Sequence, residues 1–357
     1  MRLDREIETM SNTPKTLIGV LASHDSPQKN EALKNVFDLT VETSDGKKTL
    51  AGFSFVFTGG TYERLFDGRP TEGQHQPDVR HALKPVTRDF LLEQCEVVRL
   101  PPAKGGGVTI LSTLIAQRMV SILWTFYSSL TAHLLFPDNL ALLRLADQWR
   151  VKKLMNTGSV TEWLQAEGER DARLNPQRID VEVVLPGSGI KISTKKDNSG
   201  VWTLKSESRP FPDFARAKAE GNIAGTLKNT VLALISHDEM KGRMMDFVID
   251  HEQELRKFHR ILATGTTGRL VEEAAPSLAG KIHRYHSGPK GGDVEIATEI
   301  LFDGCHVVIF FVDPLHAHPH TEDIRVVLGA CMIHDRVRML SNETQARHWM
   351  DRMIRGA

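Results

Sequence analysis

Short runs of apolar, largely β-branched residues recur along this chain, and a segment with helical spacing follows each. Val231–Ile235, Ile261–Ala263 and Val307–Val312 are the clearest. None alternates apolar with polar positions, so the sheet they predict leaves neither face to solvent. Apolar strands that alternate with helices imply a parallel sheet covered on both sides, with ligands held beyond the C-terminal strand ends. A middle stretch has another texture. Ile179-Asp-Val-Glu-Val-Val-Leu185 alternates, turns at Pro186-Gly-Ser-Gly189, and resumes in Ile190–Thr194 and Val201–Lys205 around Asp197-Asn-Ser-Gly200. That pattern predicts a small β-hairpin, followed by the linker Arg209-Pro-Phe-Pro212.

Comparing the chain with itself shows the same landmarks twice, in the same order. The later set is Ser236-His237-Asp238, Thr264-Gly265-Thr266, Lys290-Gly291-Gly292, the strand ending at Phe311, and Ser341-Asn342. The earlier set is Ser23-His24-Asp25, Thr58-Gly59-Gly60-Thr61, Lys104-Gly105-Gly106, the strand ending at Phe126, and Met155-Asn156. The expectation is a tandem duplication: one α/β domain over 1–170, a hairpin insert and linker over 171–228, and a second α/β domain over 229–357. Both domains should be doubly wound, with a mainly parallel sheet.

Composition narrows the class. Lys+Arg and Asp+Glu are both 45, so no overall basic field points to nucleic acid or a membrane surface. The three cysteines, Cys95, Cys305 and Cys331, form no paired framework, which suits a reducing cytoplasm. The first ten residues are too charged for a signal peptide, and no apolar run reaches ~18 residues.

Candidate chemistry gathers in the second half. Thr264-Gly265-Thr266-Thr267-Gly268 lies between an apolar strand and a helical pattern. Hydroxyls, backbone N–H groups and the positive end of a helix dipole would meet there, which favours a phosphate. His237 ends a strand and Lys241 follows one helical turn later, so both can face one pocket. Asp293 follows Gly291-Gly292, where chain without side chains admits a ligand. It is also well placed to cap a helix beginning Val294-Glu-Ile-Ala. His316-Ala-His318-Pro-His320 raises the question of zinc, but no fourth ligand stands at a convincing spacing. No zinc site is therefore expected.

Four motifs in order give a resemblance over about residues 229–357. They are His237-Asp238-Glu-Met-Lys241, Thr264-Gly265-Thr266-Thr267-Gly268, Ser287-Gly288-Pro289-Lys290-Gly291-Gly292-Asp293, and Asp313-Pro314-Leu315 with Pro319-His320 and Asp323. Together they resemble the methylglyoxal synthase family, which converts dihydroxyacetone phosphate to methylglyoxal and inorganic phosphate without a cofactor. The resemblance implies that Asp293 is the general base and that His320 shuttles protons. His237, Lys241, Thr264, Gly265, Thr266, Thr267, Ser287 and Gly288 would hold the substrate. Asp238, Asp313 and Asp323 would support them, Asp313 and Asp323 by orienting His320 and neighbouring cations. Only His320 of the three clustered histidines falls on a family position. The family's terminal acidic position is Arg347 here, which bears on subunit contacts or regulation.

The earlier copy departs from this pattern. Lys29 lies five residues past His24, Pro101-Pro102 replace Ser-Gly, and Gly107 stands at the position assigned to the base. Ser128 and Leu135 stand where Asp313 and His320 would be. That copy is expected to hold phosphate weakly at most and to run no chemistry. The alternative for the whole chain is a non-catalytic sensor of phosphate ligands, since the same fold regulates carbamoyl-phosphate synthetase. Single-domain family members form hexamers, so three chains of two domains each are the expected assembly.

Overall fold

The computed structural model describes residues 14–22, 26–68, 82–127, 136–180, 182–207, 209–313, 321–334 and 336–355, without the side chains of Thr321 and Asp323. The chain forms two compact units, one of 1–182 with 193–205 and one of 183–192 with 206–357. The stretch 171–228, expected as an insert and linker, is thus divided between them.

In the first unit the central strand β1 (Lys15–Ala22) pairs in parallel with β2 (Phe53–Phe57) on one side and β4 (Val120–Phe126) on the other. β3 (Val97–Arg99) continues the sheet beyond β2, and β5 (Lys152–Leu154) continues it beyond β4. β6 (Pro176–Gln177) runs antiparallel to β1. β9 (Trp202–Ser206) runs parallel to β3, and β8 (Lys191–Lys196) and β7 (Glu182–Val184) follow in the order β3-β9-β8-β7, with residues 183–192 counted in the second unit. The hairpin read from the alternating stretch is therefore the edge of this sheet. Its core is aromatic: Phe37 meets Phe55 edge to face at 5.3 Å and Trp124 at 5.2 Å. Such offset pairs add to the burial of large apolar area.

The sheet of the second unit has the order β12-β11-β10-β13-β14, parallel throughout. Its strands are β10 (Val231–Ser236), β11 (Arg260–Ala263), β12 (Ile282–Arg284), β13 (Val307–Phe311) and β14 (Arg338–Leu340). Leu232, Leu234, Val307, Ile309 and Phe311 pack with Met244, Phe247 and Val248 of helix Lys241–Asp250. The alternate residues Ala233, Ile235, Val308 and Phe310 are as deeply buried, as a strand with period two requires when both faces are covered. Each fully buried side chain of this size contributes about 1.5–3 kcal/mol. Helix Gly292–Leu301 is buried all round from Gly292 to Ile300.

Asn156 and Asn342 are both helix N-caps, accepting from Ser159 N and Gln345 N at 2.9 and 3.0 Å. Arg347 donates to Glu343 at 2.8 Å and to Asp250 at 2.7 Å, tying the last helices to helix Lys241–Asp250. No helix among the described residues is long and apolar enough to cross a membrane.

At the N-terminal edge of the second sheet His306 pins three strands. Its N–H donates to Val231 O at 3.0 Å, its Nδ1 accepts from Val231 N at 2.9 Å, and its carbonyl accepts from Arg338 N at 3.0 Å. Burial pushes its ring down to about 4 from 6.5, with Arg209 and His259 adding repulsion. Between those values the unfolded chain binds a proton that the folded ring refuses, so stability falls as pH drops from 6.5 towards 4. The expected loss from this group is up to about 3 kcal/mol. Urea unfolding at pH 7 and pH 5 measures it. His306→Asn keeps an acceptor for Val231 N and should flatten the slope; an unchanged slope removes His306 as its source.

Candidate active site at the strand ends of the second unit

The sheet order reverses between β10 and β13, and in parallel sheets the ligand place lies outside the C-terminal strand ends at such a reversal. His237 and Asp313 follow those two strands and are joined across the reversal. Asp313 N donates to His237 Nδ1 at 2.8 Å. A nitrogen that accepts from a backbone N–H carries no proton, so the neutral ring holds its hydrogen on Nε2. His237 is 6% exposed and lies edge-on to Phe310 at 5.2 Å. Asp313 is itself buried.

Beyond β11 the chain turns directly into helix Gly265–Ala274, with Thr264 as N-cap. Thr264 Oγ1 bonds Thr267 Oγ1 at 3.2 Å, and Thr267 Oγ1 lies 3.3 Å from Ser236 Oγ at the end of β10. Gly265 N donates to His286 O at 2.9 Å. That leaves Thr266 and Thr267 as first-turn N–H groups without an intrahelical acceptor, as at any helix start. A side chain at residue 265 would put Cβ 3.0 Å from both Ser287 N and Tyr285 O, which accounts for the glycine.

After β12 the loop Tyr285–Gly291 crosses over the start of helix Gly292–Leu301. Ser287 O accepts from Lys290 N at 2.8 Å and Gly292 N at 3.2 Å. Gly291 takes φ 103°, the left-handed region, and is the helix N-cap. Asp293 is the second residue of that helix and 2% exposed, so the reading of Asp293 as the cap is corrected: the glycine caps and the carboxylate does not. Its place in the first turn still sets its negative charge at the positive end of the helix. Lys241 opens its own helix and pairs with the exposed Asp238 carboxylate.

His237, Lys241, Thr264, Gly265, Thr266, Thr267, Ser287, Gly288, Asp293 and Asp313 thus sit on loops and helix starts at one edge of one sheet. His316, His318 and His320 lie outside the described residues, as does the Asp323 side chain. Among the described residues no three His, Cys, Asp or Glu side chains gather as a metal-binding group.

Two buried carboxylates of the Asp293 helix were not read from the sequence. Glu295 Oε2 accepts from His286 N at 3.1 Å and His286 Nδ1 at 2.9 Å. Glu299 Oε1 accepts from Gly187 N at 3.1 Å and Ser188 N at 3.0 Å, and from the Tyr285 hydroxyl. Burial raises both carboxyls above the ordinary range, and these hydrogen bonds oppose the rise. Both look in the sequence like acidic positions on an ordinary helix, and their partners are distant along the chain.

The first unit repeats the backbone of this edge. Thr58 Oγ1 lies 3.0 Å from Thr61 Oγ1, Gly59 N donates to Pro101 O at 3.1 Å, and Gly107 N donates to Pro102 O at 3.2 Å. Gly106 is the left-handed N-cap of helix Gly107–Ala116, as Gly291 is of its helix. The residue in the place of Asp293 is therefore Val108, not Gly107 as the sequence comparison had it. The shift arises because Lys104 matches Pro289 in the loop and not Lys290. His24, Asp25, Ser128 and Leu135 lie outside the described residues.

A family model described as the MGS-like domain matches residues 243–334. The chain is 42% identical over 113 residues to a methylglyoxal synthase of Brucella ovis, a match spanning 32% of this chain and 88% of that protein. It is 42% identical over 120 residues to a methylglyoxal synthase of Agrobacterium fabrum, spanning 34% of this chain and 91% of that protein. A crystal structure of methylglyoxal synthase from Elizabethkingia anophelis NUHP1 is 34% identical, covering 34% of this chain and 76% of that one, with a TM-score of 0.29.

A cation one helical turn from His237, at the edge that carries the Thr264–Thr267 turn, is suited to a phosphate. Lys241→Ala should weaken binding of inorganic phosphate to the full chain by about tenfold, since hydrogen bonds to charged groups are among the stronger ones. Isothermal titration checks this; unchanged affinity would place phosphate elsewhere.

Proposed function

The chain belongs to the methylglyoxal synthase family, and on that premise we propose that its second unit converts dihydroxyacetone phosphate to methylglyoxal and inorganic phosphate. The observation that carries this reading is Asp293, a 2% exposed carboxylate just past a left-handed glycine at the edge that holds the Thr264–Thr267 turn.

Lys241, the Thr264–Thr267 turn, Ser287 and Gly288 take the phosphate. His237, whose hydrogen is on Nε2 because Nδ1 accepts from Asp313 N, polarises the substrate carbonyl. Asp293 removes a proton from the carbon bearing the hydroxyl, leaving an enediolate. A carboxylate is a weak base for a C–H, so this step depends on the polarised carbonyl. The carbon–oxygen bond to phosphate then breaks, its electron pair leaving with phosphate. The enol that remains takes up a proton on carbon to give methylglyoxal. His320 is assigned the movement of protons between the substrate oxygens. Elimination requires the carbon–oxygen bond to overlap the enediolate π system, so the phosphate cradle sets the outcome by holding that bond out of the plane. The residues present supply base, donors and cradle, and the mechanism draws on no metal or organic cofactor.

The first unit, with Val108 at the base position, is proposed to be a degenerate repeat of the second that runs no chemistry. A packed α/β core can outlast its catalytic groups because burial depends on shape and apolar area. In the assembly we propose, three chains supply six such units.

Asp293→Asn should lower turnover by about 10²–10⁴-fold without unfolding the chain, measured by colorimetric detection of methylglyoxal from dihydroxyacetone phosphate. A folded variant with near-normal turnover removes Asp293 as the base, and a wild type that binds phosphate without releasing methylglyoxal would favour a sensor. Light scattering after size exclusion should give about 120 kDa, three chains of 39.9 kDa; about 40 or 240 kDa would exclude the trimer.

A further inference from the structure

We propose that His286 is a further ligand of the substrate phosphate and that Glu295 is the positioning residue that holds its imidazole; the proposal deepens the reading of the second unit as a lyase and rests on it. His286 directly precedes Ser287, and its carbonyl accepts from Gly265 N at 2.9 Å. Its backbone therefore touches the first residue after Thr264 and leads straight into Ser287-Gly288. The imidazole is 39% exposed while the Glu295 carboxylate that holds it is 5% exposed, so the ring reaches solvent from a buried anchor.

Glu295 Oε2 accepts from both His286 N and His286 Nδ1, so Nδ1 carries a hydrogen and Nε2 is the nitrogen through which the ring would meet a ligand. Helix Gly292–Leu301 carries Asp293 and Glu295 two residues apart, so one rigid element would fix both the base and this ring.

The first unit supplies an internal control. Its loop follows the same path, with Gly59 N bonded to Pro101 O and Gly107 N to Pro102 O. A Cβ on Gly107 or on Gly292 would lie 1.9 Å from the carbonyl oxygen of Pro101 or His286 respectively, so the two crossings are equally tight. Yet Pro101 stands for His286 and Ile110 stands for Glu295. The loop path does not need the pair, and the pair is absent from the unit that has Val108 in place of Asp293.

The test uses the full chain, with inorganic phosphate as the calorimetric probe and initial rates on dihydroxyacetone phosphate. His286→Ala should weaken phosphate binding by about tenfold and raise KM by a similar factor, with a smaller change in kcat. Glu295→Ala should move both in the same direction, and the double variant should add little to His286→Ala, because Glu295 acts through the ring. Glu295→Gln should stay near wild type, since its carbonyl oxygen can accept both N–H groups. Phosphate affinity and KM within twofold of wild type in folded His286→Ala, or fully additive losses in the double variant, overturn the proposal. If the wild type binds phosphate but releases no methylglyoxal, and His286→Ala still weakens phosphate, the lyase reading falls and the ligand assignment stands. A wild type that binds no phosphate overturns both.

Discussion

The close crossing of the Tyr285–Gly291 loop over the start of helix Gly292–Leu301 sets the position of everything else at this edge. Residue 292 has no room for a side chain, because a Cβ would lie 1.9 Å from His286 O. The approach is held from three sides. Gly292 N reaches Ser287 O, Gly265 N reaches His286 O, and Glu295 takes the His286 N–H. The Gly265 turn, the loop and the helix start are thus held against one another by two main-chain bonds and one buried carboxylate. Side chains that must act together can then vary without moving the frame that presents them.

The two sheets share a strand order about their central strands, β5-β4-β1-β2-β3 in one and β12-β11-β10-β13-β14 in the other. They differ in what lines the reversal of that order. In the second unit it carries a histidine whose tautomer is set by a backbone N–H, with a buried carboxylate two residues into a neighbouring helix. In the first unit the same helix begins Gly107-Val108, and the frame presents an apolar residue. The same fold supports either content because the frame is built from main chain.

Much of this was legible in the sequence. Apolar strands on a period with helices gave the parallel sheets, and the paired landmarks Asn156 and Asn342 recur in order, although only the structure shows that each caps a helix. Glycine-rich turns after strands marked the edge on which the candidate residues stand. Other features were not legible because they depend on partners brought together only by folding. Glu295 and Glu299 gain meaning from His286 and from Gly187-Ser188, which no local spacing reveals. A one-residue shift in a glycine-rich loop moved the base position from Val108 to Gly107, since consecutive glycines align equally well in either register. Only the left-handed conformation at Gly106 and Gly291 distinguishes them. The alternating stretch was read as a hairpin, but not as the continuation of a sheet edge.

That edge bears on how the protein is made. β9 pairs with β3 about a hundred residues earlier, and β6 returns to pair with β1. A chain emerging from the ribosome therefore cannot complete its first sheet until residues 202–206 are out. Until then the N–H and C=O groups on the open side of β3 have no strand to bond. An exposed edge of this kind invites pairing with another nascent chain. Contacts so widely separated in sequence also close slowly. The outer strands thus protect the first unit during synthesis as much as they stabilise it afterwards, and a truncation at residue 170 would leave that protection out.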